Sequence, residues 1–250
     1  MPYFDVQDVS PDGQELLITA TDRTPVHDLF GRLFVFRVAD GAAHALGGVE
    51  AVSATYSPKG DRIAYSTDME LWTAARDGSD EHRLVVLKDT PIHFVYWSPD
   101  GNRIRFSRRQ PVSSEESMWE VKPDGTGLHA VLEGWKVKTS APAGWTADGS
   151  IALAGSDGAL WGFVERHGVF GLQIHAPVQI TSGQPEFLLP LRMRAGREVF
   201  TIGVDRLGEL QRYDLPSKTW VPVLEGISAE SAEYSRDGQR IAYVAYPQRT

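Results

Sequence analysis

The chain has 250 residues, 42% of them hydrophobic, which is enough to bury a substantial core, and it has no cysteine, which excludes disulfides and thiolate metal sites. Its 33 acidic residues outnumber 25 basic ones for a net charge of −8, the opposite of a surface built to neutralise phosphates. No run approaches the roughly 18 apolar residues that a membrane helix needs, and Met1 to Gln7 has neither the basic start nor the apolar stretch of a signal peptide.

From the amino terminus onward, one short phrase keeps returning. It reads Val9-Ser10-Pro11-Asp12-Gly13, Tyr56-Ser57-Pro58-Lys59-Gly60, Trp97-Ser98-Pro99-Asp100-Gly101, Trp145-Thr146-Ala147-Asp148-Gly149 and Tyr234-Ser235-Arg236-Asp237-Gly238. A worn copy, Arg192-Met193-Arg194-Ala195-Gly196, fills the gap before the last, so that the glycines fall 47, 41, 48, 47 and 42 residues apart. Ser, Pro and Gly stand where a type I turn wants them, and the Gly supplies the left-handed residue that closes a hairpin. Positive φ is therefore expected at Gly101. Short apolar runs follow each turn: Leu16-Leu17-Ile18, Ile63-Ala64-Tyr65, Ile104-Arg105-Phe106, Ile151-Ala152-Leu153, Val199-Phe200 and Ile241-Ala242-Tyr243.

A second hairpin comes next in most repeats, at Phe34-Val35, Leu71-Trp72, Met118-Trp119, Leu160-Trp161 and Leu210 to Tyr213, and brief fourth strands follow. Four strands per repeat at a period in the forties predict an all-β fold, a β-propeller with one blade per repeat. The expected blades are 1–50, 51–89, 90–135, 136–183 and 184–225, with a partial sixth at 226–250, forming a single propeller domain over 1–250. Five repeats and half of a sixth imply an incomplete or open ring, and the chain reads as a piece of a longer one.

Residues two places before the pre-turn aromatic are mostly small (Gln7, Ala54, Val95, Ala143, Pro190, Ala232), as suits inner strands crowded near the axis. Four places before it stand Asp5, Val52, His93, Ala141, Leu188 and Glu230, a mixed column at the channel mouth. Asp5, His93 and Glu230, with Lys138 and Glu186 on adjoining loops, form the candidate binding rim, and His93, Lys138 and Glu230 are expected to be exposed. Such a mixed, net-acidic ring suits a protein, peptide or small polar ligand and disfavours nucleic acid.

The seven histidines never fall at metal-ligand spacing, and the turn aspartates Asp12, Asp100, Asp148 and Asp237 are explained by their turns without calcium. No catalytic, metal or cofactor site is expected. Trp72, Trp97, Trp119, Trp145 and Trp161 hold repeat positions and read as core; Trp135 and Trp220 lie outside those columns, and Trp135 is the expected surface aromatic.

The Ser-Pro-Asp-Gly blades with their Ile-Ala-Tyr and Leu-Trp strands resemble the WD40-like repeats of TolB propellers, and lack the Gly-His and Trp-Asp pairs of true WD40 blades. Pro222 to Tyr246 and Gly208-Glu209-Leu210 with Arg212-Tyr213-Asp214 resemble the carboxy-terminal propellers of bacterial CadC-type winged-helix regulators. That resemblance implies a non-catalytic binding or sensing module in a signalling protein, periplasmic in location, with a DNA-binding domain and membrane helix elsewhere in the polypeptide. The alternative is the propeller of an enzyme: the gating propeller of a prolyl-oligopeptidase-like peptidase, or a lyase or lactonase. No Gly-x-Ser-x-Gly elbow is present in the chain.

Overall fold

The structure, a computed structural model, describes residues 3–21, 30–109, 115–132, 137–138, 144–146, 149, 151–156, 159–168, 171–174, 176–181, 186–190, 201–204, 211–222, 229–235 and 240–245. The described residues are all-β, without helix. The first repeat forms a sheet of β1 (Tyr3–Val9), β2 (Glu15–Thr21), β3 (Gly31–Arg37) and β4 (Ala43–Ala51), in that order. The second forms β5 (Ser53–Tyr56), β6 (Arg62–Thr67), β7 (Glu70–Ala75) and β8 (His82–Val86), again in chain order.

The third contains β9 (Ile92–Trp97), β10 (Ile104–Arg109), β11 (Glu115–Val121) and β12 (His129–Val131). A fifth strand, β13 (Val137–Lys138), pairs with β11, although the repeat alignment put it on the loop into the fourth blade. The fourth sheet holds β14 (Ile151–Ser156), the long β15 (Ala159–Gly168), β16 (Gly171–Ile174) and β17 (Val178–Gln179).

The later repeats are sparser. β18 (Glu186–Pro190) pairs with β19 (Thr201–Val204), and β20 (Gln211–Asp214) with β21 (Thr219–Pro222), as two separate ribbons where one four-stranded blade was expected. The fifth repeat's turn, 192–196, lies outside the described residues. β22 (Ala229–Tyr234) and β23 (Ile241–Ala245) form the two strands expected of a partial last blade. By contacts the chain divides into two units, Met1–Ser182 with Phe187–Ile202, and Gly183–Glu186 with Gly203–Thr250.

The turns are built as their residues dictate. Gly13, Gly60, Gly101 and Gly149 all hold φ between 70° and 74°. In the first turn, Gly13 N–H donates to Ser10 O (2.8 Å), Ser10 Oγ accepts from Glu15 N–H (2.8 Å), and the Ser10 hydroxyl donates to Asp12 Oδ1 (2.6 Å). Asp12 Oδ1 also accepts from Gln14 N–H at 3.0 Å. Ser98 and Asp100 repeat the pattern. In the second turn Lys59 displaces the aspartate, and Asp61 Oδ1 accepts from the Ser57 hydroxyl instead, at 2.8 Å.

Within the first unit the core lies between adjacent sheets rather than inside any one. Leu17, Leu33, Val35 and Leu46 of the first sheet pack with Tyr56, Ile63 and Tyr65 of the second. The opposite face of the second, with Ala64, Leu71 and Val85, packs on Ile92, Trp97, Ile104 and Phe106 of the third. Met118 and Val131 then meet Trp145 and Phe163 of the fourth repeat. The second and third sheets are thus apolar on both faces, the arrangement of blades. Trp97 and Trp145 are buried and Trp72, Trp119 and Trp161 partly so, as their repeat positions implied. Trp220 is 65% exposed, edge-on to Tyr213, while Trp135 lies outside the described residues.

Candidate functional site

The inner strands carry the candidate rim, and three of them are irregular at one repeat position. β1 bulges between Val6 and Asp8, β9 opposite Phe106, and β22 between Glu230 and Glu233, whereas β5 pairs with β6 in unbroken register. In β9 the bulge forces Phe94 to φ 49°, an uncommon backbone for a bulky aromatic. A bulge leaves one residue out of the ladder and re-aims its neighbours. Inner-strand N–H groups that lack a ladder partner are met by side chains of the preceding blade. Gln7 Oε1 accepts from Ala54 N–H (3.3 Å), Asp8 Oδ2 from Tyr56 N–H (2.8 Å), and Ser53 Oγ from Val95 N–H (3.0 Å).

Asp5 is half-buried in β1, where Gln7 donates to it at 2.9 Å; burial raises its carboxyl against the pull of that bond and of Val6 N–H. His93 was expected to be exposed and is instead 8% exposed, because the bulge in β9 turns it into the sheet beside Ser107. The Ser107 hydroxyl lies 3.3 Å from the His93 carbonyl oxygen. Lys138 shares this third sheet through β13, at the register position opposite Glu115. The structure therefore joins His93 and Lys138 in one sheet and places Asp5 in the same unit, while Glu186 and Glu230 fall in the other unit.

One polar residue at this end was not foreseen. Glu116 stands in β11 opposite Arg109, at the repeat position that Met69 holds in the second blade. Its Oε2 is buried without a hydrogen-bond partner. Burial pushes its carboxyl up to about 7, against the opposing influence of the Ser107 hydroxyl and Arg109. Comparing second-hairpin columns across repeats, rather than inner strands alone, exposes this Met-to-Glu exchange.

Some charges of the first unit are engaged between blades. Two residues after the turn glycine, Glu15 accepts from Arg76 of the next blade at 3.0 and 2.8 Å. At the same position Arg103 donates to Glu165 of the fourth blade at 3.0 Å, so the clasp recurs with its signs exchanged. An aromatic residue underlies each clasp: Arg76 lies 5.7 Å from the Tyr56 ring, and Arg103 lies 5.4 Å from Trp145, whose Nε1–H donates to Glu165 at 2.9 Å. Between the second and third blades Pro123 occupies the partner position, and Arg62 pairs within its own blade with Asp80 at 2.8 Å.

The second clasp is deepened by Arg105, fully buried where the first two blades place Leu17 and Ala64, with its guanidinium bonded to Glu120 and Glu165 and 4.0 Å from the Trp145 ring. Burial acts to raise the Glu165 carboxyl, but the charge and hydrogen bond of Arg105, with Trp145 and Arg103, hold it below the usual range. A cleft of about 430 Å³ opens beside the first clasp, lined by Glu15, Val35, His44, Asp61, Ala75, Arg76 and Asp77. Its carboxylates are already bonded to Arg76, Ser57 and Ser79, so it is a seam between blades rather than a set of convergent free groups. Among the described residues no three His, Cys, Asp or Glu side chains gather to hold a metal ion, and no helix is long and apolar enough to cross a membrane.

This architecture is that of a β-propeller, and solved structures bear it out. Over 85% of its length the chain is similar to 76% of a chain in the nidogen/laminin complex, with a TM-score of 0.58 at 8% identity. It is similar to the Cps50 (Swd1) β-propeller domain of Myceliophteria thermophila, with a TM-score of 0.52 at 12% identity over 97% of this chain and 84% of that one. For the periplasmic gluconolactonase PpgL of Pseudomonas aeruginosa the values are 0.50 and 17%, over 94% and 76%. The chain spans 50% of the oligogalacturonate lyase that it also matches. At these identities the likeness is one of fold, which serves both enzymes and other proteins. No family model and no curated protein matches the chain.

Proposed function

We propose that this chain is a non-catalytic binding or sensing propeller, whose inner-strand rim takes a protein or a small polar ligand. The observation that supports this reading is the irregularity shared by β1, β9 and β22, with Phe94 in a left-handed conformation beside His93. Backbone irregularity of this kind is retained where a surface must present particular groups, and the regular β5 supplies the contrast within the same chain. Asp5, His93 and Lys138 belong to this rim, and the repeat alignment adds Glu186 and Glu230. The resemblance to CadC-type regulators extends the proposal to a sensing domain of a signalling protein; coding sequence for a winged helix and a membrane span on the same polypeptide is the expected finding, and a hydrolase domain there overturns it.

The rim is tested with the combined substitutions Asp5→Asn, Lys138→Ala and Glu230→Ala in the full-length protein, with His93→Gln made separately because His93 is buried. Partner capture is expected to fall at least about tenfold, the loss of about 1.4 kcal/mol, with the thermal midpoint little changed. Capture at the unaltered level by a folded triple variant rules the rim out.

A further inference from the structure

The first sheet is covered on one face only. Its Leu17, Leu33 and Val35 pack on the second sheet, and strand alternation sends their neighbours to the other side. Two cross-strand rows on that side are wholly apolar: Val9, Leu16, Phe36 and Ala43, then Val6, Ile18, Phe34 and Ala45. A third row, with Phe4 and Ala20 beside Arg32 and Glu50, ends the patch. Yet Phe4 is 67% exposed and Val6 58%. In the second sheet the repeat positions of Val9, Leu16, Ile18 and Phe36 hold Tyr56, Ile63, Tyr65 and Ala74, all buried against the first.

The turns differ in the same way. A Cβ added at Gly60, Gly101 or Gly149 would meet the turn proline of the blade before it: Pro11 at 3.1 Å, Pro58 at 3.8 Å and Pro99 at 3.7 Å. At Gly13 it would meet nothing within 4 Å. The later turn phrases carry Ala147, Arg194 and Arg236 in place of proline, so none offers the ring that the earlier seams use. Val38 stands where Arg76 and Glu165 join their clasps, and it is 52% exposed, so this face asks for an apolar partner and not a charged one.

A second copy of the chain supplies such a partner in the same face. With a two-fold axis along the strands, β1 of one protomer lies over β4 of the other, and β2 over β3. Val6 and Val9 then come over Ala45 and Ala43 of the partner subunit, large residues over small, and Ile18 and Leu16 come over the partner's Phe34 and Phe36. Arg32 and Glu50 stay at the wet end of the patch. Packing of two apolar sheet faces is how the chain already joins its first and second blades. Three rows across four strands span roughly 20 by 20 Å. That amounts to on the order of 800 Å² buried over both copies, the low end for a weak, reversible interface.

We propose that the outward face of the first sheet is the interface of a weak homodimer, with β1 of each copy over β4 of the other. Asp5 pairs with Thr19 on the opposite side of β1, so the proposal does not depend on the rim having a partner.

Sedimentation velocity of the full chain from about 5 to 500 μM should show a concentration-dependent monomer–dimer equilibrium. Val6→Lys sets a charge in the middle row and is expected to raise the dimer Kd at least about tenfold, with the thermal midpoint of the dilute protein little changed. Trp220→Ser, which removes an exposed aromatic outside the patch, should leave association as it is. Because the chain has no cysteine, introduced thiols report the geometry. A mixture of Val6→Cys and Ala45→Cys should be cross-linked by a short bismaleimide faster than either variant alone.

A monomer across that concentration range overturns the proposal. If its Val6→Cys thiol also resists maleimide, another part of the same polypeptide covers the face instead. Association that survives Val6→Lys, or that Trp220→Ser abolishes, puts the interface elsewhere and also overturns it. Should Val6→Lys not fold, the mixed cross-link decides: a mixture that reacts no faster than the single variants overturns the pairing of β1 with β4.

Discussion

A turn glycine carries much of this fold, and Gly101 shows why. Its φ is 74°, a backbone that side-chain-bearing residues rarely adopt. An added Cβ would meet only Pro58 of the preceding turn, at 3.8 Å, which is ordinary contact. The cost of Gly101→Val is therefore one of conformation and not of collision: about 1–3 kcal/mol, read as a lower urea midpoint, with Gly101→Asn milder because Asn tolerates this region. The aspartates are as local in their logic. Asp12 is held at about 2 by the Ser10 hydroxyl and Gln14 N–H. A carboxyl whose folded pKa is depressed contributes stability above its unfolded value and loses it as pH falls through the folded one. Acid is thus expected to loosen this turn between about pH 4 and 2, and an NMR titration of the Asp12 carboxyl in that window checks it. These features were legible because each is made within five consecutive residues. The burial of His93 was not, because it depends on a bulge whose cause lies in neighbouring strands.

At the scale of elements, adjacent blades in the first unit are fastened by apolar faces and by clasps. Arg105 is the informative member, since it replaces Leu17 and Ala64 of the earlier blades with a buried charge. Arg105→Leu alone leaves Glu120 and Glu165 sharing Arg103, and is expected to cost about 3–5 kcal/mol. Arg105→Leu combined with Glu120→Val recreates the Leu17–Val35 pair of the first blade and leaves Arg103 with Glu165. Chemical denaturation of both should show the double variant closer to wild type than the single one. If the double variant is the less stable of the two, the ion cluster is not a replaceable form of the apolar seam. The turn phrase located every blade edge that the clasps use, but it gave no sign of which turns would face a partner of opposite charge. That information lies in pairs some 60 residues apart, such as Glu15 with Arg76 and Arg103 with Glu165.

For the molecule as a whole, the period in the forties was sufficient for the class of fold, because a blade is a local object: four strands made from one stretch of chain. In the fifth repeat β20 and β21 form a two-stranded ribbon that is largely exposed. A two-stranded ribbon is marginal by itself. Hydrogen exchange should therefore be fastest among the described strands at Gln211–Asp214 and Thr219–Pro222, and slowest in β6, β7 and β10; equal protection in the two groups would refute this ranking. The candidate rim was legible only as a column of residues, and Glu116 of β11 sat in a column that inner-strand alignment does not consult. The exchanged signs of the two clasps have a consequence for ancestry. Blades that arose by copying were interchangeable at first, each able to follow any other. Once Glu15 meets arginine and Arg103 meets glutamate, a copy of the second blade pasted after the third would set Arg76 against Arg103. The polarity of each seam acts as an address: the second blade fits after the first and not after the third.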